Sequence, residues 1–256
     1  MTMQKKIFRA FAVILLTLLT SVLILSLGSC SGSSLTSVEG TGAMVSRNFS
    51  LELESEDFTA LNFNGPYNII WQQGSNISFA AEMQENLFEY FEVSVNNGTL
   101  YAEFSRPVAI RGSNNTPRIY ITSPQLTAAT FSGAVDTAVW DTIYAEQFDL
   151  NISGAGNISL SFEVDRLDLT ASGASDITLS GNADTIIIES SGVGSISAEY
   201  LQTRDANLNI SGVGNANIAV SDNLDVTLSG VGNVRYRGDP AVTQNISGLG
   251  SVTRME

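Results

Sequence analysis

Leu150-Asn-Ile-Ser-Gly-Ala-Gly-Asn-Ile-Ser-Leu160 is the stretch that decides the fold, because its pattern returns down the second half of the chain. Leu169 to Leu179, Ile188 to Ala198, Leu208 to Ile218 and Val226 to Tyr236 follow the same scheme. Each copy is centred on a Ser-Gly pair. There are seven: Ser132-Gly133, Ser153-Gly154, Ser172-Gly173, Ser191-Gly192, Ser211-Gly212, Ser229-Gly230 and Ser247-Gly248. Successive serines are 21, 19, 19, 20, 18 and 18 residues apart. A fixed period near 20 marks a solenoid, in which each unit buries its apolar face only against the next.

Within a repeat, the residue before the serine is Phe131, Ile152, Ala171, Ser190, Ile210, Leu228 or Ile246. Two places after it stand Ala134, Ala155, Ala174, Val193, Val213, Val231 and Leu249. Five places after it stand Thr137, Ile158, Ile177, Ile196, Ala216, Val234 and Val252. All three positions read as inward-facing, so Val213 and Val231 are expected inside neighbouring rungs. A step of three between inward positions breaks strand alternation, and glycine tolerates the corner that this requires. The fourth place after the serine is a polar column: Asp136, Asn157, Asp176, Ser195, Asn215, Asn233 and Ser251. Stacked, these side chains form a hydrogen-bonding ladder. The pattern predicts an all-β fold: a right-handed parallel β-helix of 18–21-residue repeats over 126–256, with Ser-Gly corners. Seven rungs at about 4.8 Å make a rod of roughly 34 Å.

Residues 49–125 form a β-rich N-terminal half. Phe58 to Gly74 alternates into a Gly65-Pro66 turn and out again, and Asn97-Gly98 between two alternating runs is a hairpin signal. Glu82 to Phe91 is the one place for a helical turn. Ahead of this half, Lys5, Lys6 and Arg9 precede an apolar run, Phe11 to Leu27, that ends in Leu27-Gly28-Ser29-Cys30. This reads as a signal peptide over 1–29. Its ending resembles the lipobox of bacterial lipoproteins, which implies lipidation of Cys30, the single cysteine; a plain transmembrane anchor is the alternative. Residues 30–48 read as a flexible linker.

Of 12 Lys+Arg, three leave with the signal, so nine remain against 26 Asp+Glu, a net charge of −17. Such a surface repels nucleic acid. The chain has no histidine, which removes Ser-His-Asp catalysis and His-ligated metals. No cofactor or metal is expected: a calcium repeat needs an Asp in every turn, and here five of seven positions are Asn or Ser.

Gly74 after Gln72-Gln73, the Asn97-Gly98-Thr99-Leu100 turn and the repeated Ser-Gly-x-Gly-Asn blocks resemble the head GIN domain family. The likeness covers roughly 49–254. It implies an auto-transporter adhesin label and, for many members, a lipoprotein of Bacteroidetes-type bacteria. The expected place is the cell envelope, anchored by lipid in the outer membrane on its periplasmic or outer face.

Three functions fit. The first is a non-enzymatic, surface-anchored adhesin that binds glycan or an envelope protein, with nine Tyr and Trp residues available as a sugar platform. The second is a polysaccharide-active enzyme. Glu163, Asp165 and Asp168 lie around Arg166, and Asp149 and Asp168 each precede a repeat serine by four, one rung apart. The third is a structural assembly partner. Leu249 and Val252 in the last repeat suggest self-association through that rung.

Overall fold

The computed structural model describes residues 37–50 and 57–255. The expected signal peptide over 1–29 and the expected lipidation site Cys30 lie outside the described residues. Nineteen strands and two 3-10 turns are present among those described. The first strands are β1 (Val38–Glu39), β2 (Met44–Asn48), β3 (Ala60–Asn64), β4 (Tyr67–Gln73) and β5 (Ser78–Gln84). Next come β6 (Phe91–Asn96), β7 (Thr99–Phe104), β8 (Val108–Ala109), β9 (Arg118–Ser123) and β10 (Ala128–Phe131). The repeats supply β11 (Val135–Trp140), β12 (Ile143–Ile152), β13 (Ala155–Ala171), β14 (Ala174–Ser190) and β15 (Ile196–Ile210). They end with β16 (Ala216–Leu228), β17 (Val231–Arg237), β18 (Ala241–Ile246) and β19 (Leu249–Arg254).

The chain is a parallel β-solenoid. One 12-stranded sheet runs in the order β19-β17-β16-β15-β14-β13-β12-β10-β3-β7-β6, with β18 paired to β16. Like residues stack on like residues. Leu150, Leu169, Ile188, Leu208 and Val226 are partners rung by rung and all are buried. A second buried column is the one five places after the serine: Ile158, Ile177, Ile196, Ala216 and Val234. No rung could bury these side chains alone, and each one removed from water contributes about 1.5–3 kcal/mol.

The position two after the serine corrects the sequence reading. Val193, Val213, Val231 and Leu249 are 59, 51, 46 and 74 % exposed. This residue is the apex of the corner and points outward, because the inside of so tight a bend has no room for a side chain. The neighbouring glycines explain the tightness. A Cβ on Gly212 would run into the carbonyl oxygen of Gly192 one rung below, and a Cβ on Gly214 into that of Gly194. Their absence lets Val213 N–H reach Gly192 O at 2.9 Å. The inward face therefore runs from the residue before the serine to the fifth after it, and skips the apex.

The stack also extends beyond seven rungs. Eleven strands lie on one path of the large sheet, about 48 Å at about 4.8 Å per step. Asn64-Gly65-Pro66-Tyr67 is an eighth corner, not a hairpin turn. β3 pairs with β10 and β7, while β4 pairs with β11 and β9 in a separate five-stranded sheet. Phe63 sits opposite Phe131 and Asn68 opposite Asp136, and a Cβ on Gly133 would meet the Gly65 backbone. The expected hairpin is present between β6 and β7, with Asn97 and Gly98 at positive φ as its two-residue turn. The short helical turn is the 3-10 segment Glu85–Glu89. Where a linker was expected, Met44–Asn48 pairs antiparallel with β5, and Val38–Glu39 pairs with β8.

Candidate functional site

The polar column lies on the outside of the Ser-Gly corner and works as a structural ladder. Asp136 Oδ1 accepts from the Asn157 N–H at 2.7 Å and from Asn157 Nδ2 at 3.0 Å. Asp176 Oδ1 accepts from the Ser195 N–H at 2.9 Å. Asn215 Oδ1 accepts from the Asn233 N–H at 3.0 Å, and Asn233 Oδ1 from Ser251 Oγ at 2.9 Å. These groups hold one rung to the next.

The carboxylates singled out in the sequence separate into two places. Asp149 and Asp168 are register partners, one rung apart as expected. Gln147 Nε2 stands between them, 3.1 Å from Asp149 Oδ1 and 3.2 Å from Asp168 Oδ2. Arg166 Nε binds the same Asp168 oxygen at 2.9 Å. An amide thus fills the space where the scissile bond, or an attacking water, would have to lie between two catalytic carboxyls. Glu163 and Asp165 lie earlier on β13, at a second corner of the coil.

At that second corner the coil is concave, and a groove of about 770 Å3 runs along the stack. Val164, Ala183, Thr203 and Val220 are register partners and form its floor. One wall is the in-register row Glu163, Asn182, Gln202, Ala219 and Arg237. The other carries Asp165, Asp184, Arg204, Ser221 and Asp239. Five rungs make it about 19 Å long.

Its polar groups are unevenly engaged. Glu163 Oε1 accepts from Asn182 Nδ2 at 2.8 Å, whereas Asp165 and Asp184 have no side-chain partner among the described residues. Arg204 reaches Asp222 at 3.4 Å, and Arg237 reaches Glu199 only at 3.8 Å. On the floor, the buried Thr203 hydroxyl has no hydrogen-bond partner.

Asn182, Gln202, Thr203, Arg204 and Arg237 were not singled out in the sequence. Their offsets from the repeat serine drift: Glu163 lies ten places after Ser153, Gln202 eleven after Ser191 and Ala219 eight after Ser211. Register shifts between β14 and β15 and between β15 and β16 absorb the difference. The usable signal was the pair Gly181 and Gly238 at positive φ, since each marks this second corner.

Of the nine aromatic residues considered as a sugar platform, Tyr67 and Trp71 are buried, and the Trp71 indole N–H donates to Ser123 Oγ at 2.9 Å. Tyr144 and Tyr200 are exposed, but β13 and β14 separate their strands. They make no common surface.

Residues 57–240 match the family described as "Putative auto-transporter adhesin, head GIN domain". Among curated proteins no relative matches. Among solved structures, a "putative adhesin" from Bacteroides fragilis NCTC 9343 superposes with a TM-score of 0.78 at 22% identity, covering 85% of this chain and 100% of that one. A "putative adhesin" from Parabacteroides merdae ATCC 43184 gives 0.66 at 23% identity, over 86% and 99%. A "putative lipid binding protein" from Parabacteroides distasonis ATCC 8503 gives 0.67 at 20% identity, over 86% and 100%. At these identities the likeness shows the fold.

Proposed function

This chain belongs to the head GIN domain family of adhesin-type proteins, and we propose on that premise that it is a non-enzymatic binding protein of the bacterial envelope. In this reading Cys30 carries lipid and tethers the solenoid, and the lateral groove is the binding site for a glycan.

The observation that carries the reading is the groove itself: five rungs in register, walled largely by polar side chains, of which Asp165, Asp184 and Gln202 have no side-chain partner among the described residues. From β13 to β16 every wall strand is paired on both sides, so along those rungs no free backbone edge is offered to an added peptide strand. Recognition there is by side chains alone, which suits the hydroxyl groups of a sugar chain. Asp165 and Asp184 can each accept two hydroxyl protons. The amide bridge between Asp149 and Asp168 supports a role in binding over one in bond cleavage.

The test is a glycan array and an envelope-protein pull-down with the full-length chain and with Gln202→Trp. Gln202 is exposed on the groove wall, so an indole there blocks the groove without disturbing the core. Wild type should retain a subset of glycans, and the variant should lose at least about tenfold in affinity, or 1.4 kcal/mol. Equal retention by both would remove the groove from the function. Shortened glycans would make the protein an enzyme, and retention of envelope proteins alone would make it an assembly partner.

A further inference from the structure

The groove is polarised along its length. Glu163, Asp165 and Asp184 stand on the first two rungs, β13 and β14. Arg204 and Arg237 stand on β15 and β17. These arginines are two of the nine basic residues that follow the signal, against 26 acidic ones. Asp239, the remaining acid at the far end, is engaged by Arg254 at 3.0 Å. The first end therefore has two carboxylates without a partner, and the other has two guanidinium groups on loose contacts of 3.4 and 3.8 Å. Arg204 follows Asp184 on the next rung yet turns away from it to Asp222. Both arginines line the groove while each is paired to a carboxylate outside its lining, so a ligand's acid competes with Asp222 and Glu199 for them.

From this asymmetry we infer that the ligand is a zwitterionic glycan, a chain with a free amino sugar and an acidic sugar, laid along the solenoid axis. This rests on the glycan-binding reading and adds its charge and direction. The amino group lies at the Asp165–Asp184 end and the acid at the Arg204–Arg237 end. With two to three rungs between the centres, the opposite charges are about 10–14 Å apart. A purely anionic glycan meets the unpaired carboxylates at one end and a chain of net charge −14 around them. A purely cationic one meets the arginines and has the rest of the acidic surface to bind without order. Only a ligand with both signs satisfies both ends. Thr203, whose buried hydroxyl on the floor lacks a partner, is on the Arg204 rung.

The experiment uses the full-length chain and three oligosaccharides of equal length. N-deacetylated heparosan carries free amines and carboxylates, its N-acetylated parent carries carboxylates only, and chitosan carries amines only. Wild type should bind the deacetylated form at least tenfold more tightly than either of the others, with affinity falling as salt rises. Asp165→Asn with Asp184→Asn should erase the preference over the N-acetylated parent. Arg204→Gln with Arg237→Gln should erase the preference over chitosan. All four residues are exposed or at the groove rim, and unchanged circular dichroism checks that the variants are folded. Equal affinity of wild type for the deacetylated and acetylated forms overturns the inference. So does a loss in either double variant that is uniform across the three probes. If glycans bind and Gln202→Trp abolishes it, but no zwitterion preference exists, only this inference fails. Absence of any glycan binding would remove the glycan-binding reading as well.

Discussion

Val213 and Leu208 lie five residues apart and show how a single position is decided. Both are aliphatic, and both columns stay apolar through the first six repeats, the Leu208 column ending in Gln244. Leu208 is buried beneath Val226 and above Ile188, whereas Val213 is half exposed at a corner between two glycines. Leu208→Asp places a charge in the core without a partner, at a cost of several kcal/mol. It should unfold the protein in a thermal melt. Val213→Asp adds a charge to an outer edge and should cost less than about 1 kcal/mol. Equal losses would mean that the apex is an inward position after all. Hydropathy alone could not separate the two, because both columns are apolar. What separates them is the glycine on either side, since the close approach of rungs at Gly212 and Gly214 leaves the apex only one direction to point.

At the scale of elements, β4 shows what the repeat period conceals. Its first residue, Tyr67, continues the Gly65 corner and stands opposite Val135 one rung on. Its phenol is wholly buried, and its hydroxyl donates to Asn64 O at 3.3 Å. Burial, with a smaller push from the nearby Glu103 charge, raises its pKa well above the usual tyrosine value of 10.0. In the unfolded chain the same phenol ionises near pH 10, so above that pH the unfolded state binds fewer protons than the folded one. The contribution to stability is whole below pH 10 and is lost as pH rises beyond it. The slope is about 1.4 kcal/mol per pH unit. Denaturant titrations from pH 9 to 11.5 should show this decline, and Tyr67→Phe should flatten it. A wild-type slope matched by the variant would show that other groups are responsible. This corner was hard to read because the segment between Gly65 and Gly133 leaves the coil to build β5, β6 and the 3-10 turn before it returns. The local pattern, Asn64-Gly65 with Asn68 and Ile69 following, matches the later repeats.

For the whole molecule, the proposed function joins the groove to an anchor. Lipid at Cys30 is the proposed tether, and it predicts that Cys30→Ala leaves an uncleaved precursor that takes up no labelled fatty acid. Equal label in both chains would dismiss the lipobox reading. Among the described residues no helix is long and apolar enough to cross a membrane. The period near 20, the Ser-Gly corners and the apolar positions just before and five after the serine were sufficient to determine a stacked parallel β fold. A solenoid needs only that each rung present the same face to the next, and that requirement is written locally in every repeat. The membership of the N-terminal strands in the same stack, the outward apex and the groove were decided by tertiary structure. Each depends on which rung lies over which. That register is set where bulges absorb unequal repeat lengths, as between Ala198 and Gln202. Glu163, Arg204 and Arg237 share no fixed spacing in the chain, and they meet only because β13 to β17 are hydrogen-bonded side by side.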